Sequence, residues 1–366
     1  AADAPALDFS DPPYVVPKGG PAMSMVPASE DFERLAVRWA SSTAAKEYPN
    51  LVAMLSAFPE RYAKDRDALP QTDADRAFAL AGRAAQIFDH QVIEAKTQDD
   101  VNRSTVEATA MVDEALKLDP ACHDALRIQK NLQRPTRQEM LDFLVEGAER
   151  VHDECAERAR AVHAMPMQGQ MGMGPYMKPY LRWMLDIANE QLSLGRYRAS
   201  LEVCLKMLDA DHDDVAGFRQ VAALDYVKLE DETGFHALRE RYPGDDNAWF
   251  ALAELFLAYK RRDFEAAERE LHAIMRTYPQ AGVTLAYQDE LPAGLFGHLE
   301  YAEGSDDELF IAVSEAAVVL DENCGDFSSP LSSWISMHPD VEAARVLEES
   351  RAQAAQEREG GDQACL

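Results

Sequence analysis

The chain has few cysteines, and they are far apart. Its five cysteines are odd in number and form no Cys-x-x-Cys pair. This pattern favours reduced thiols in a cytosol over a secreted disulfide framework. The N-terminus lacks the basic and apolar regions of a signal peptide, and no apolar run approaches the roughly 18 residues of a membrane span. We therefore expect a cytoplasmic protein that does not enter the membrane.

Positive charge is also scarce. The 366 residues include 36 Lys and Arg against 65 Asp and Glu, which gives a formal net charge of −29. Nucleic-acid binding depends on cations that contact phosphates, and anionic membrane surfaces repel an acidic protein. The composition therefore argues against both partners and favours a partner with a basic surface.

Motifs for catalysis are missing as well. Gly169, Gly172 and Gly174 follow the pattern G-x-x-G-x-G, but the Lys-Ser/Thr of a phosphate-binding loop does not follow them. The sequence contains neither G-x-S-x-G nor H-E-x-x-H. We predict no enzymatic activity, no catalytic residues and no cofactor.

Two sets of side chains raise the question of metal binding. His152, Cys155 and His163 have spacings that could share a helix face, but a zinc site usually needs a second close pair of ligands. A Met-rich loop could supply thioether ligands to a soft metal such as Cu(I), or could be a flexible apolar loop. We predict no metal ligands and keep a metal-responsive protein as the alternative function. The loop's methionines are Met165, Met167, Met171, Met173 and Met177.

What the sequence does contain is helical periodicity, with apolar residues three and four apart over most of its length. Thr72 with Asp75, and Thr136 with Glu139, have the spacing of helix N-terminal caps. The expected division follows composition and these signals. It comprises a Pro-rich extended or disordered arm (1–28), an N-terminal helical region with degenerate repeats (29–163), a Met/Gly-rich loop (164–177), a repeat core (178–292), a C-terminal helical cap (293–358) and a tail (359–366).

The repeat core has a period of 34 residues. Leu181 and Val215 start two units of this length, with Gly195 at the turn of the first, and Trp249 lies in a third unit. Such a period is typical of tetratricopeptide repeats, which are pairs of antiparallel helices. The predicted fold is therefore all-α, with helix pairs of this type stacked as a right-handed solenoid.

Several segments also resemble a known family. Tyr176–Arg182, Leu194–Tyr197, Met207–Asp211 and Trp249–Ala253 are similar to bacterial tetratricopeptide proteins related to the suppressor of tumorigenicity 7 family. The similarity runs from about Thr105 to Pro339. It implies a protein-interaction scaffold and implies no reaction or catalytic residues.

A tetratricopeptide array binds partners with polar side chains on its concave face. Leu185, Asn247 and Ala251 replace the cations with which such a groove holds a peptide carboxylate, so an extended segment or a helix is the expected ligand. We predict a non-enzymatic scaffold that binds a protein or peptide there. The candidate groove residues are Arg182, Asp186, Asn189, Arg219, Gln220 and Tyr226.

Overall fold

The computed structural model describes residues 27–40, 42, 48, 51–92, 95–163, 174–291, 301–321 and 329–363. Within these ranges the chain is helical and has no β-strand, which confirms the all-α prediction. Nearly all of the predicted arm lies outside the described residues, as do residues 164–173 of the predicted Met/Gly-rich loop. No helix in the described part of the chain is long and apolar enough to cross a membrane.

Seventeen α-helices cover the described ranges, with a 3-10 turn at Arg66–Ala68 and a π-helical stretch at Ile87–Val92. They are α1 (Pro27–Ala40), α2 (Leu51–Lys64), α3 (Asp73–Gln86), α4 (Gln98–Leu118), α5 (His123–Leu132), α6 (Arg137–His163), α7 (Gly174–Ser193), α8 (Tyr197–Ala210), α9 (Phe218–Leu229), α10 (Glu232–Arg241), α11 (Ala248–Lys260), α12 (Phe264–Thr277), α13 (Ala281–Tyr287), α14 (Asp306–Glu315), α15 (Ala317–Leu320), α16 (Pro330–Ser336) and α17 (Pro339–Gln363).

The predicted caps explain where two of these helices begin. Thr72 and Asp75 form a reciprocal capping box at the start of α3. At α6, the backbone N–H of Glu139 donates to Thr136 Oγ1 at 3.2 Å, and that of Thr136 donates to Glu139 Oε2 at 2.8 Å. Each pair satisfies amide groups that have no partner within the helix.

Some helix ends differ from the prediction. Helix α7 begins at Gly174, so the last four residues of the predicted loop are helical, because proline is tolerated in a first helical turn. The predicted C-terminal helical cap contains α14 and α15, which meet at Ala316, and α17 continues to Gln363, five residues into the predicted tail. Sequence periodicity did not indicate the short helix α13.

The chain forms two compact units. Unit 1 comprises residues 1–194, 202–218 and 294–298. In its first core, Trp39 and Phe58 join α1 to α2. A second, alanine-rich core joins α3, α4 and α5. The third contact is between α6 and α7, where the Trp183 indole donates to the Leu144 carbonyl at 2.7 Å. A Cβ at Gly147 would lie 2.5 Å from the Trp183 ring, so only glycine fits there.

Unit 2 comprises residues 195–201, 219–293 and 299–366. The Tyr226 ring of α9 lies so close to Gly234 of α10 that a Cβ there would be 2.2 Å away. Phe235 of α10 and Phe250 of α11 meet edge to face at 5.8 Å, and α11 packs on α12. Helices α13 and α17 pack so closely that a Cβ at Gly282 would lie 2.5 Å from the backbone of α17.

Candidate functional site

The six predicted groove residues differ in exposure. Arg182, Asp186 and Asn189 belong to unit 1, and Arg219, Gln220 and Tyr226 belong to unit 2. Asn189 is exposed, and Asp186 and Arg219 are half-buried. Arg182, Gln220 and Tyr226 are buried. A partner could therefore reach at most three of the six side chains without rearranging the fold.

Arg182 is a structural residue of unit 1. Its guanidinium donates to both oxygens of Asp124, at 2.7 and 2.6 Å, and to Glu30 Oε2 at 2.6 Å. None of the three side chains is more than 2% exposed. The prediction that Arg182 lines a binding groove is wrong, because the side chain joins α1, α5 and α7 inside the core.

The ion pairs continue on both sides of Arg182. Glu30 also accepts from Arg34 at 2.7 and 2.9 Å. Arg127 contacts Asp124 at 3.1 Å and Asp186 at 2.6 Å. Predicted groove residue Asp186 is therefore held by an internal partner.

Electrostatics favour the charged forms of Asp124 and Arg182. Burial alone would raise the pKa of Asp124, but the guanidinium groups of Arg182 and Arg127 outweigh it and hold the pKa well below its usual range. The pKa of Arg182 is raised, since Asp124 and Glu30 outweigh the effect of burial on the guanidinium. Removing one member of such a network leaves its partners charged and buried, so each is needed for stability.

In unit 2, the predicted groove side chains of α9 also have partners within the chain. Arg219 Nε lies 2.6 Å from Asp245 Oδ2, and its guanidinium lies over the Tyr242 ring at 5.2 Å. The Gln220 amide donates to the Tyr301 hydroxyl at 2.9 Å. Two of the predicted groove residues thus contact segments that follow in the same unit.

Residues 301–320 cover the face that α9 and α11 share, which we call the α9/α11 face. Glu308 of α14 accepts from the backbone N–H of Ala248 at 3.1 Å, and Glu315 accepts from the Trp249 indole at 2.8 Å. The Lys228 ammonium donates to the Val318 carbonyl at 3.1 Å. The cover therefore contacts both helices.

The cover is too well packed to act as a removable lid. Its buried side chains include five large aliphatic ones, and at about 1.5–3 kcal/mol each they contribute on the order of 10 kcal/mol. The α9/α11 face is therefore part of the core, and the placement of Gln220 in an open groove is wrong. The five side chains are Leu309, Ile311, Val313, Val319 and Leu320.

Asp225 of α9 is a buried carboxyl group that the sequence did not single out. It is fully buried, and neither oxygen has a hydrogen-bond partner. Burial raises its pKa to about 8, although the neighbouring Ser200 hydroxyl acts in the opposite direction. The group is therefore largely protonated at neutral pH. Because it is buried without a hydrogen-bond partner, ionisation of this carboxyl group lowers the stability of the fold.

The surface of unit 2 carries a continuous row of five rings, which we call the aromatic strip. It runs from Phe264 of α12 to Tyr259 of α11 at 5.5 Å, then to Trp334 of α16 at 5.3 Å. It continues to His338 at 5.5 Å and ends at His272 of α12, 5.9 Å further on. Phe264 is 47% exposed, Tyr259, Trp334 and His272 are partly exposed, and the His338 side chain is only 11% exposed.

Polar and apolar groups extend this surface. The imidazole Nε2 of His272 lies 2.8 Å from Asp340 Oδ2, and the Asp340 side chain is 58% exposed. Met337, which precedes His338, is 78% exposed. Sequence reasoning missed the strip because Trp334 and His338 lie about seventy residues from Tyr259 and Phe264. Only the folding of α16 onto α11 brings them together.

The predicted metal candidates are not assembled. Among the described residues no three His, Cys, Asp or Glu side chains are arranged to hold a metal ion. His152 packs edge to face on Tyr180 at 5.0 Å, and burial raises the pKa of the Cys155 thiol to about 12. Of the Met-rich loop, only Met177 is within the described residues, on α7. Copper binding by that loop stays the alternative hypothesis.

No protein-family model, no curated protein and no solved structure matches the chain. The site must therefore be interpreted from its own geometry.

Proposed function

We propose that the protein is a non-enzymatic interaction scaffold, built from tetratricopeptide-type helix pairs in a right-handed array, that binds a protein or peptide segment on the aromatic strip. The observation that supports this proposal is the row of five rings on unit 2. Large aromatic side chains contribute most of the binding energy at many protein interfaces.

The strip suits a partner better than the α9/α11 face. A ligand on that face would have to displace residues 301–320 and expose their buried side chains. A ligand on the strip only covers rings and a methionine that are already partly in water. Binding at the strip therefore gains apolar burial without a cost in folding.

The charges near the strip favour a partner with basic side chains. Glu265, next to Phe264, has a side chain that is 90% exposed and lies 3.4 Å from Arg269, and the Asp340 side chain beside His272 is 58% exposed. The whole chain has an excess of negative charge, which attracts basic partners over longer distances. Salt should therefore weaken binding mainly by slowing association.

Selection from a display library of natural peptide segments tests the proposal. The full chain should enrich binders whose affinity falls at least tenfold in Phe264→Ser and in Met337→Ser, because both changes remove exposed apolar surface. Val52→Ser is the matched control, since Val52 is 74% exposed on α2 of unit 1. Binders that lose affinity equally in the control, or in neither strip variant, would place the interaction elsewhere.

A further inference from the structure

We propose that a cavity in unit 1 binds a carboxylate that is joined to a compact apolar group, which is the chemistry of a small organic acid. The C-terminal ends of α1 and α2 and the 3-10 turn after α2 border this cavity, which we call the α1/α2 cavity. Its volume is about 370 Å³, which is within the range of small-molecule sites. The aromatic strip belongs to unit 2, so the inference does not depend on the proposed function.

Part of the wall of the α1/α2 cavity is apolar. Trp39 and Leu69 line it and are almost fully buried, so they form a fixed floor, whereas Pro70 is exposed and forms an edge. An apolar group in the cavity would cover this wall and would remove its own surface from water. The wall therefore favours an organic ligand over a bare inorganic anion.

Arg61 and Lys64 of α2 supply the positive charge of the cavity. Both residues are exposed, and neither forms an ion pair with any residue that the structure describes. Arg66, in the turn that follows, is by contrast paired with Asp31 at 2.6 Å. Residues three apart lie on the same side of a helix, so one carboxylate can contact both cations. It does so without breaking an existing ion pair.

The guanidinium of Arg61 is held in place by aromatic rings. Its Cζ lies 5.6 Å from the centre of the Trp39 ring and 6.0 Å from that of Tyr48, and its Nε donates to the Tyr48 hydroxyl at 3.2 Å. These contacts leave its two terminal nitrogens, Nη1 and Nη2, without a hydrogen bond to a described residue. Two such nitrogens match the two oxygens of a carboxylate, and hydrogen bonds paired in this way are among the strongest in proteins.

Two groups in the cavity would repel a carboxylate, but both already have partners. The Trp39 carbonyl, near the end of α1, accepts from the backbone N–H and the hydroxyl of Ser42 at 2.9 and 2.7 Å. Asp65 Oδ1 accepts from the backbone N–H of Ala68 at 3.2 Å. Two cations against this single carboxylate leave a local excess of positive charge, in a chain whose formal net charge is −29.

Isothermal titration calorimetry of the full chain with phenylacetate tests the inference. Phenylacetate should bind saturably with one-to-one stoichiometry. Acetate lacks the apolar group and phenylacetamide lacks the charge, so each should bind at least tenfold more weakly. Arg61→Gln and Lys64→Gln should each weaken phenylacetate binding at least fivefold, because each change removes a hydrogen bond between charged groups. Arg83→Gln is the matched control, since Arg83 is also an exposed arginine in the last turn of a helix but does not line the cavity.

A peptide that ends in phenylalanine presents the same groups, so acetyl-Ala-Ala-Phe with a free carboxylate is titrated separately. Tighter binding of phenylacetate would identify a free acid as the source of the ligand, and tighter binding of the peptide would identify a protein C-terminus. Either result supports the assigned chemistry. Absence of saturable binding by both compounds would overturn the inference. Equal affinities for phenylacetate and phenylacetamide, or an equal loss of affinity in Arg83→Gln, would overturn it as well.

Discussion

Arg182 donates to both carboxylate oxygens of Asp124, at 2.7 and 2.6 Å, and both side chains are excluded from water. The pair joins α5 to α7, and Glu30 extends it to α1. A residue whose position in a repeat favours a binding groove is thus part of the internal framework of unit 1.

Replacing Arg182 by methionine should lower the free energy of unfolding by about 3–5 kcal/mol, because Asp124 and Glu30 would be left buried without a cation. Urea denaturation followed by circular dichroism measures this. Arg103→Met is the matched control: Arg103 pairs with Asp100 on the surface of α4, so its loss should cost less than about 1 kcal/mol. Equal effects of the two changes would show that the Arg182 network does not stabilise unit 1.

The same network predicts that the stability of the fold falls at acidic pH. The pKa of Asp124 is lowered in the folded state, whereas an unfolded aspartate titrates near pH 3.9. Its stabilisation is therefore complete above about pH 4 and is lost as the pH falls further towards the folded-state pKa. Wild-type stability should fall more steeply below pH 4 than that of Asp124→Asn, measured by urea denaturation. If stability falls equally with pH in the two proteins, Asp124 does not have a lowered pKa in the fold.

Asp225 predicts the opposite dependence of stability on pH. Its pKa is raised to about 8 in the fold, so folding favours the neutral acid, and stability is lost as the pH rises from about 4 to 8. Asp225→Asn keeps a neutral group of similar shape. It should be more stable than wild type by roughly 5 kcal/mol at pH 8 and nearly equal at pH 3.5. A variant that is less stable than wild type at pH 8 would show that the ionised carboxylate has a partner.

The closed α9/α11 face makes a prediction for hydrogen exchange. The backbone amides of Leu309–Val313 lie in α14, whose apolar side chains are buried. They should exchange only through unfolding of unit 2, with protection equal to that of the slowest amides in α11. If native-state exchange shows that α14 opens on its own, at a lower free energy than the unfolding of unit 2, then the cover is a lid. That result would restore the groove as a binding site.

Much of the fold followed from local sequence signals. The predicted capping pairs Thr72/Asp75 and Thr136/Glu139 fix two helix starts. These features depend on residues three or four apart, which sequence periodicity reports directly. The predicted boundary between the C-terminal helical cap and the tail, after residue 358, was wrong because α17 continues to Gln363.

The site could not be predicted in the same way. An arginine on a helix has the same local pattern whether it meets a partner or a buried Asp124 fifty-eight residues away. The cover over Trp249 depends on Glu315, and the strip depends on Trp334 packing against Tyr259. Long-range pairing decides which polar side chains are buried, and no period in one sequence encodes it.

The most direct test of the account compares the dissociation constants of one strip-binding peptide for three chains. Wild type, Phe264→Ser and Arg219→Glu separate the aromatic strip from the face predicted from the repeat pattern. The account predicts at least tenfold weaker binding for Phe264→Ser and less than a twofold change for Arg219→Glu. The reverse order would contradict it and return the binding site to the α9/α11 face.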